Sequence, residues 1–109
     1  DLELLKGWFM QSSIKDRKLL SFVTSKSGDQ IFIHADRDGL NLLIKELTWL
    51  RERLEQNECD HTHLISPEWA GQELTISKLK DQEGEDLIVH EVKIYGWNDE
   101  WKKKHALVD

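Results

Sequence analysis

The clearest pattern in the chain is a run of leucine and isoleucine residues at steps of three and four positions. This spacing places the side chains on one side of an α-helix, which turns about every 3.6 residues. The residues of this stripe are Leu40, Leu43, Ile44, Leu47, Leu50 and Leu54. Asp36 or Asp38 can cap the start of the helix, because a carboxylate accepts hydrogen bonds from the free backbone amides there. The pattern predicts a helix about 27 Å long that ends near Asn57.

Segments rich in β-branched and aromatic residues predict the strands. Residues 19–24 and 30–35 flank a short loop that contains Gly28, which favours an antiparallel hairpin. A short helix at residues 99–105 is expected near the end of the chain, with Asn98 as its cap. Between the two helices, three more segments have the composition of strands, at residues 62–66, 73–79 and 87–95.

These elements predict an α+β fold in which an antiparallel β-sheet packs against one long amphipathic helix. The order of the core is ββαβββ, with a short C-terminal helix after it. Residues 1–109 contain no repeat and no linker, and we expect them to form a single domain. Residues 1–18 fit a helical face and an irregular strand equally well. Their apolar side chains are numerous enough to join a core, and include Leu2, Leu4, Leu5, Trp8, Phe9 and Met10.

The amino-acid composition of the chain favours some classes of binding partner and argues against others. The 109 residues include 15 lysines and arginines against 21 aspartates and glutamates, a formal charge of −6. This balance argues against nucleic acid, because phosphate binding needs clustered basic residues, and it suits a basic protein partner. No run approaches the roughly 20 apolar residues of a membrane-spanning helix, and no signal segment opens the chain, so we expect no membrane association. Cys59 is the only cysteine, which excludes a disulfide within the chain and favours a cytoplasmic location.

The spacing of the histidines suggests metal binding as an alternative function. His61 and His63 lie two positions apart, so on a strand their imidazoles point the same way and suit one metal ion. Glu68 follows in the ligand order of a cupin metal site, although a cupin barrel has no place for the long helix. His90 offers a third imidazole. The other interpretation is that these histidines are polar residues hydrogen-bonded at the surface of a sheet. A metal-binding enzyme or sensor that uses His61, His63 and His90 is kept as an alternative.

Other catalytic patterns do not stand out in the sequence. Nothing singles out Cys59 as a nucleophile or two carboxylates as a general acid and base. The glycines are isolated, so no phosphate-binding loop is predicted. We therefore predict no catalytic residue, no cofactor and no bound metal, and expect a protein that is not an enzyme.

Two further groups of residues suit a contact with another protein. Trp69 and Trp101 lie beside predicted turns or on a polar-flanked helix, and each suits a core or an interface equally. Residues 81–86 form a cluster of acidic side chains that is either a solvated turn or a surface for a basic partner.

Three segments of the C-terminal half carry recognisable motifs. They read His61-Thr62-His63-Leu64, Ser66-Pro67-Glu68-Trp69-Ala70-Gly71-Gln72-Glu73-Leu74 and His90-Glu91-Val92-Lys93-Ile94-Tyr95-Gly96-Trp97. With the hairpin and the helix start Asp36-Arg37-Asp38-Gly39-Leu40, they resemble a family of bacterial immunity proteins from polymorphic toxin systems. The resemblance covers residues 19–97. Ala70 stands where the family pattern leads us to expect glycine.

The resemblance implies a non-enzymatic protein that binds and neutralises a cognate toxin in the cytoplasm of the cell that produces it. The acidic charge favours a nuclease-type toxin, inhibited by occlusion of its active site or substrate path. In this hypothesis carboxylates of the acidic cluster imitate phosphates and a tryptophan anchors the contact. A homodimer formed through a sheet edge is another open alternative, since Pro67 would not protect the neighbouring strands. The candidate partner-binding residues are Trp69, Asp81, Glu83, Glu85, Asp86 and Trp101.

Overall fold

A computed structural model describes residues 18–105, so the prediction for residues 1–17 lies outside the described part of the chain. The strands are β1 (Leu20–Thr24), β2 (Ile31–Ala35), β3 (His61–Ile65), β4 (Leu87–Ile88) and β5 (Glu91–Tyr95). The helices are α1 (Arg37–Glu55) and α2 (Asp99–His105), and a 3₁₀ turn spans Pro67–Trp69. The predicted α+β class is confirmed, with antiparallel strands and one long helix. Neither helix of the described range is long and apolar enough to cross a membrane.

The five strands form two antiparallel sheets. The first has the order β2-β1-β4, and the second pairs β3 with β5. The sequence predicts one strand over residues 87–95, but the chain passes from β4 in the first sheet to β5 in the second. Between them the amide of Val89 donates to the carbonyl of Phe22 (2.9 Å), and the carbonyl of His90 accepts from the amide of Ser66 (2.8 Å). The single strand was a wrong prediction because successive residues pair with different neighbours.

The strand predicted at residues 73–79 does not form. This irregular segment passes the part of β1 that β4 does not reach, where the amide of Thr75 donates to the carbonyl of Leu20 (2.7 Å). The amide of Leu20 donates to the hydroxyl of Thr75 (3.2 Å) rather than to a backbone carbonyl, which interrupts the ladder. The hydroxyl of Ser21 donates to the carbonyl of Ser77. Because Ser21 and Leu20 point to opposite faces of the strand, the segment continues across the face of the first sheet away from α1.

The start of α1 is built against β1. Of the two caps that the sequence offers, Asp36 is the one used, since its carboxylate accepts from the amide of Gly39 (2.8 Å). The amide of Asp36 donates to the carbonyl of Leu19 (3.1 Å). A Cβ atom on Gly39 would overlap the carbonyl oxygen of Leu19, so this close approach requires glycine. The helix ends at Glu55, close to the predicted end at Asn57.

The core lies between α1 and the two sheets. Its buried side chains are Leu20, Phe22, Leu64 and Leu74, and the partly buried residues packed against them are Ala35, Leu42, Leu43, Val89, Val92 and Ile94. The predicted apolar stripe of α1 is only partly covered. Leu50 is buried, whereas Leu40, Ile44 and Leu47 are 49%, 59% and 43% exposed. The stripe is therefore broader than the strip of helix that the sheets cover.

Candidate functional site

The outer face of the second sheet carries adjoining imidazole and phenol rings. Side chains alternate between the two faces of β3, and Thr62 and Leu64 are buried on the inner face. His61 and His63 therefore lie on the outer face, where the register pairs His61 with Tyr95. The ring centroids of the two histidines are 4.8 Å apart, and those of His61 and Tyr95 are 5.7 Å apart. Strand pairing thus brings three rings together.

The short helix α2 continues this row of rings. The side chain of Asn98 accepts a hydrogen bond from the amide of Trp101 (2.8 Å) and caps the helix as the sequence predicts. Trp97, Trp101 and His105 follow one another at four-residue steps, which favours a common side. The centroids of Trp97 and Trp101 are 6.2 Å apart, and the rings of Trp101 and His105 stack at 4.5 Å. Tyr95 lies 6.2 Å from Trp97 and joins the two groups of rings.

All of these rings except that of His63 line a groove of about 300 Å³, the aromatic groove. Gly96 also lines it, and a Cβ atom there would lie 3.0 Å from Cγ of Leu50, so glycine lets β5 end directly against α1. Aromatic side chains at a protein surface bury a large apolar area when a partner covers them. The groove therefore suits an apolar or aromatic side chain of a partner. Its principal lining residues are Asp60, His61, Tyr95, Trp97, Trp101 and His105.

The carboxylate of Asp60 already has partners within the protein. The guanidinium of Arg53 lies 3.2 Å from Asp60 and 2.5 Å from the carboxylate of Glu58. Asp60 also accepts from the amide of His61 (2.8 Å). The same guanidinium lies 5.5 Å from the centre of the Trp49 ring, a cation–π contact that holds it over the helix. Binding in the groove is therefore expected to depend on its rings more than on this carboxylate.

A second groove, of about 380 Å³, lies on the other side of His61. It runs between α1 and β3, and the hydroxyl of Thr62 donates to the carboxylate of Glu46 (2.6 Å) to tie the helix to the strand. Because His61 borders both grooves, they form one continuous surface. The residues that line the second groove are Lys45, Glu46, Trp49, His61, Thr62 and His63.

Trp69, one of the two predicted anchors, lies at the opposite end of the second sheet from Trp101. Its side chain is 59% exposed, and its ring stacks on the imidazole of His90 with the centroids 5.3 Å apart. Nδ1 of His90 is hydrogen-bonded to the hydroxyl of Ser66 (2.8 Å), which is buried. The structure therefore does not bring the two tryptophans together, and contacts within the protein orient the ring of Trp69.

The acidic cluster is only partly at the surface. Glu83, predicted to touch a partner, is 1% exposed, so it is a wrong member of the predicted set. Its carboxylate accepts from Nε2 of His34 (2.9 Å) and from the amide of Leu79 (3.1 Å). These bonds draw the side chain inward and fix the loop to β2. The sequence does not reveal this because His34 is 49 positions away.

The other acidic candidates are accessible. Asp81 and Glu85 are exposed, and Asp86 is half-buried. Glu85 lies 3.5 Å from the ammonium group of Lys26, and the carboxylate of Asp86 accepts from the amide of the same lysine (3.2 Å). These contacts place the acidic loop beside the β1–β2 hairpin loop. The aromatic groove is built from other parts of the chain.

The three histidines of the metal alternative are not assembled. His61 and His63 share the outer face, and Nδ1 of His63 lies 2.9 Å from the carboxylate of Glu91. His90 lies at the far end of the second sheet, engaged by Ser66 and Trp69. Among residues 18–105, no group of three or more histidine, cysteine, aspartate or glutamate side chains is arranged to hold a metal ion. In the described residues, His90 is therefore not placed beside His61 and His63.

Several residues of the aromatic groove are missing from the predicted site. The predicted set of partner-binding residues does not include Tyr95, Trp97 or His105, which line the groove. The four-residue spacing of Trp97, Trp101 and His105 is a signal that could have grouped them.

Comparison of the chain with protein-family models, curated proteins and solved structures finds no match.

Proposed function

We propose that this protein is an immunity protein that binds a cognate bacterial toxin and neutralises it by occlusion in the cytoplasm of the producing cell. The observation that carries the proposal is the aromatic groove, where Tyr95, Trp97 and Trp101 adjoin at the surface. Tryptophan and tyrosine dominate the energetic centres of protein interfaces, because they bury much apolar area at a small entropic cost.

The motifs behind the family resemblance support a common scaffold. His90 is bonded to Ser66 and stacked on Trp69, and these contacts hold the turn that follows β3. A Cβ atom on Gly71 would overlap the backbone of Ile65, so this glycine is needed where the turn returns to the strand. Trp101 lies beyond residues 19–97, the range of the resemblance. We therefore expect the motifs to build the scaffold and the groove to recognise the toxin.

The negative net charge of the protein supports a toxin with a basic surface as the partner. The formal charge is −6, and Asp81 and Glu85 are exposed on the loop beside the hairpin. A nuclease-type toxin presents a basic surface to its nucleic acid substrate, so an acidic protein is attracted to that surface at long range. In this mechanism charge speeds the encounter, the aromatic groove anchors the complex, and the bound protein blocks the path of the substrate.

Replacement of the central ring of the groove tests the proposal. We expect Trp101→Ala to weaken binding to the toxin encoded beside this chain by about 30-fold or more, because a buried interface tryptophan contributes about 2 kcal/mol or more. Affinity is measured by isothermal titration calorimetry, and protection by growth rescue on co-expression. Binding should also weaken as salt rises, since salt screens charge attraction.

Trp69→Ala is the matched control, because Trp69 is exposed but its ring is held by His90 within the protein. We expect this variant to retain binding and protection if its thermal transition shows that it is folded. Failure of the unaltered protein to bind the toxin or to protect against it would contradict the proposed function. Equal loss of affinity in both tryptophan variants would show that the aromatic groove is not the surface that recognises the toxin.

A further inference from the structure

Strand β2 lies at the edge of the first sheet, whose strand order is β2-β1-β4. None of the other strands described in residues 18–105 pairs with its outer side. The amides and carbonyls of such an edge can pair with another strand, and proteins usually protect an edge with charged side chains, proline or a bulge. The segment Ile31–Ala35 contains no proline, lysine, arginine, aspartate or glutamate. The edge of β2 therefore lacks the side chains that usually keep a second strand away.

Hydrogen bonds of the hairpin show which backbone groups of β2 point outward. The amide of Ser25 donates to the carbonyl of Gln30 (2.9 Å), so these two residues form a hydrogen-bonded pair. Bonded and non-bonded pairs alternate along an antiparallel ladder, which makes the pairs of Ile31 and Ile33 with β1 non-bonded. Phe22, which lies opposite Ile33, uses its carbonyl on the other side of β1 in the same way. The amides and carbonyls of the two isoleucines therefore point to the outer edge of β2.

The side chains of these isoleucines are exposed on the core face of the first sheet. Ile33 lies opposite Phe22 and Ile31 lies opposite Thr24, and opposite residues share a face, so both isoleucines lie on the face where the core is. They are nevertheless 62% (Ile31) and 52% (Ile33) exposed. A partner beside this edge would therefore bury apolar area as well as backbone groups.

The helix α1 continues this uncovered surface above the same face of the sheet. Leu40, Ile44 and Leu47 lie at i, i+4 and i+7 and form one exposed strip. Glu46 lies on the flank of the helix that is turned toward β3. At about 100° per residue, the buried side chain of Leu50 lies between Glu46 and the strip. Since α1 contacts both β2 and β3, the strip is turned away from the second sheet and toward the edge at β2.

We propose that a second copy of this chain covers this surface, with the β2 strands of the two copies paired antiparallel across a two-fold axis. The homodimer then forms at β2 rather than at the strands beside Pro67. A two-fold axis normal to the sheet keeps the core faces of both copies on the same side. The two α1 strips are then turned toward each other, with the isoleucines of both β2 strands between them. The covered surface, the aliphatic face, is made of Ile31, Ile33, Leu40, Ile44 and Leu47.

The aliphatic face fits a second copy because it is complementary to itself. The outward amides and carbonyls of β2 include equal numbers of donors and acceptors, so an identical antiparallel strand satisfies them. A two-fold contact uses the same patch on both copies, so the two surfaces match in extent. The protein has a formal charge of −6, but β2 carries no acidic side chain, so the contact brings none of this repulsion into its centre.

Charges at the ends of β2 also suit the antiparallel arrangement. The strand is preceded by Asp29 and followed by Arg37, and both side chains are exposed. Antiparallel pairing brings the Asp29 end of one copy beside the Arg37 end of the other. Asp36 is engaged as the cap of α1, and Asp38 lies on the flank of the helix turned toward β3. Opposite charges therefore meet at each end of the contact, which favours this register over a parallel one.

Sedimentation velocity of the full chain over a wide range of concentrations tests the dimer. We expect a monomer–dimer equilibrium. Ile33→Lys should raise the dimer dissociation constant by about 100-fold or more, because each copy would bury an unpaired ammonium group. Ile44→Lys should also weaken the dimer if the strips of α1 meet. Ile76→Lys is the matched control, since Ile76 is 47% exposed on the segment that crosses the other face of the first sheet, and it should leave the equilibrium unchanged.

Amide hydrogen exchange of the unaltered protein provides a measurement that needs no variant. The amides of Ile31 and Ile33 should gain protection as the concentration rises, because only the dimer bonds them. The amides of Phe32 and His34 bond to β1 in either state and serve as the internal control. This inference does not rest on the proposed toxin, since it concerns two copies of this chain.

Three results would overturn the inference. The first is a monomer at every concentration. The second is protection of the Ile31 and Ile33 amides that does not change with concentration, because another part of the same chain would then pair with β2. The third is a dimer that a folded Ile33→Lys variant leaves intact, since the two copies would then meet through a different surface.

Discussion

Two residues, Ala70 and Gly71, determine the backbone path after the 3₁₀ turn Pro67–Trp69. Ala70 has φ of 66°, in the left-handed region where a side chain is disfavoured, and this is the position where the family pattern leads us to expect glycine. Its neighbour Gly71 must be glycine for a different reason, since the backbone of Ile65 leaves no room for a Cβ atom. The residue type at each position therefore follows from local sterics.

Ala70→Gly is expected to raise the free energy of unfolding by about 1 kcal/mol, because glycine adopts positive φ without the steric cost of a Cβ atom. Chemical denaturation with urea measures this change. Gly71→Ala is the matched control and should lower stability, since its Cβ atom would overlap Ile65. A loss of stability in Ala70→Gly would show that the left-handed turn is not strained.

The helix α1 shows how far an element can be predicted from local sequence. Its period, its cap and its end depend on residues within one or two turns, and the sequence predicted the period, two candidates for the cap and an end two residues beyond Glu55. The same reasoning failed for residues 73–79, because a strand needs a partner with free backbone groups and Thr75 offers its hydroxyl to Leu20 instead. Elements defined by contacts near in sequence were therefore predicted better than elements defined by distant pairing.

The cap of α1 makes stability depend on pH. Hydrogen bonds from the amides of Gly39 and Leu19 hold the pKa of the Asp36 carboxyl below its ordinary value. The charged form is therefore favoured in the folded state, and its contribution is complete above the unfolded pKa of about 4. It is lost as the pH falls through the lower folded pKa.

Asp36→Asn should keep the cap, because asparagine also accepts from the Gly39 amide, but it cannot take up a proton. We expect the variant to lose less stability than the unaltered protein between pH 5 and pH 2, measured as the urea midpoint at each pH. Asp36→Ala removes the acceptor and should be less stable near neutral pH. Parallel pH profiles for the unaltered protein and Asp36→Asn would contradict this account.

On the scale of the whole molecule, other parts of the chain pack against both faces of the first sheet, although Ile31 and Ile33 of β2 stay exposed. The core and α1 lie on one face, and the segment after Leu74 crosses the other. Glu83 fixes that segment through Nε2 of His34 and the amide of Leu79. Glu83 belongs to an acidic cluster in the sequence, but in the structure its buried carboxylate connects its loop to β2 through His34.

Glu83→Gln should lower the free energy of unfolding by about 1–3 kcal/mol, because the amide cannot accept from both donors as the buried carboxylate does. Glu85→Gln is the control, since Glu85 is exposed and its ion pair with Lys26 lies in solvent. Its effect should stay within about 0.5 kcal/mol. Both are measured by chemical denaturation. Equal effects of the two substitutions would show that the contact of Glu83 with His34 contributes no stability.

The sequence by itself determined the α+β class, the hairpin, the bounds of α1 and the cap at Asn98, because these depend on side chains close to one another along the chain. It also pointed to Trp101, and its motifs led to the toxin-binding hypothesis, which stays a prediction. Only the tertiary structure decided that Glu83 is buried and that Trp69 and Trp101 lie apart. It also assembled the aromatic groove from three separate segments, since such groupings depend on strand register and packing between distant residues.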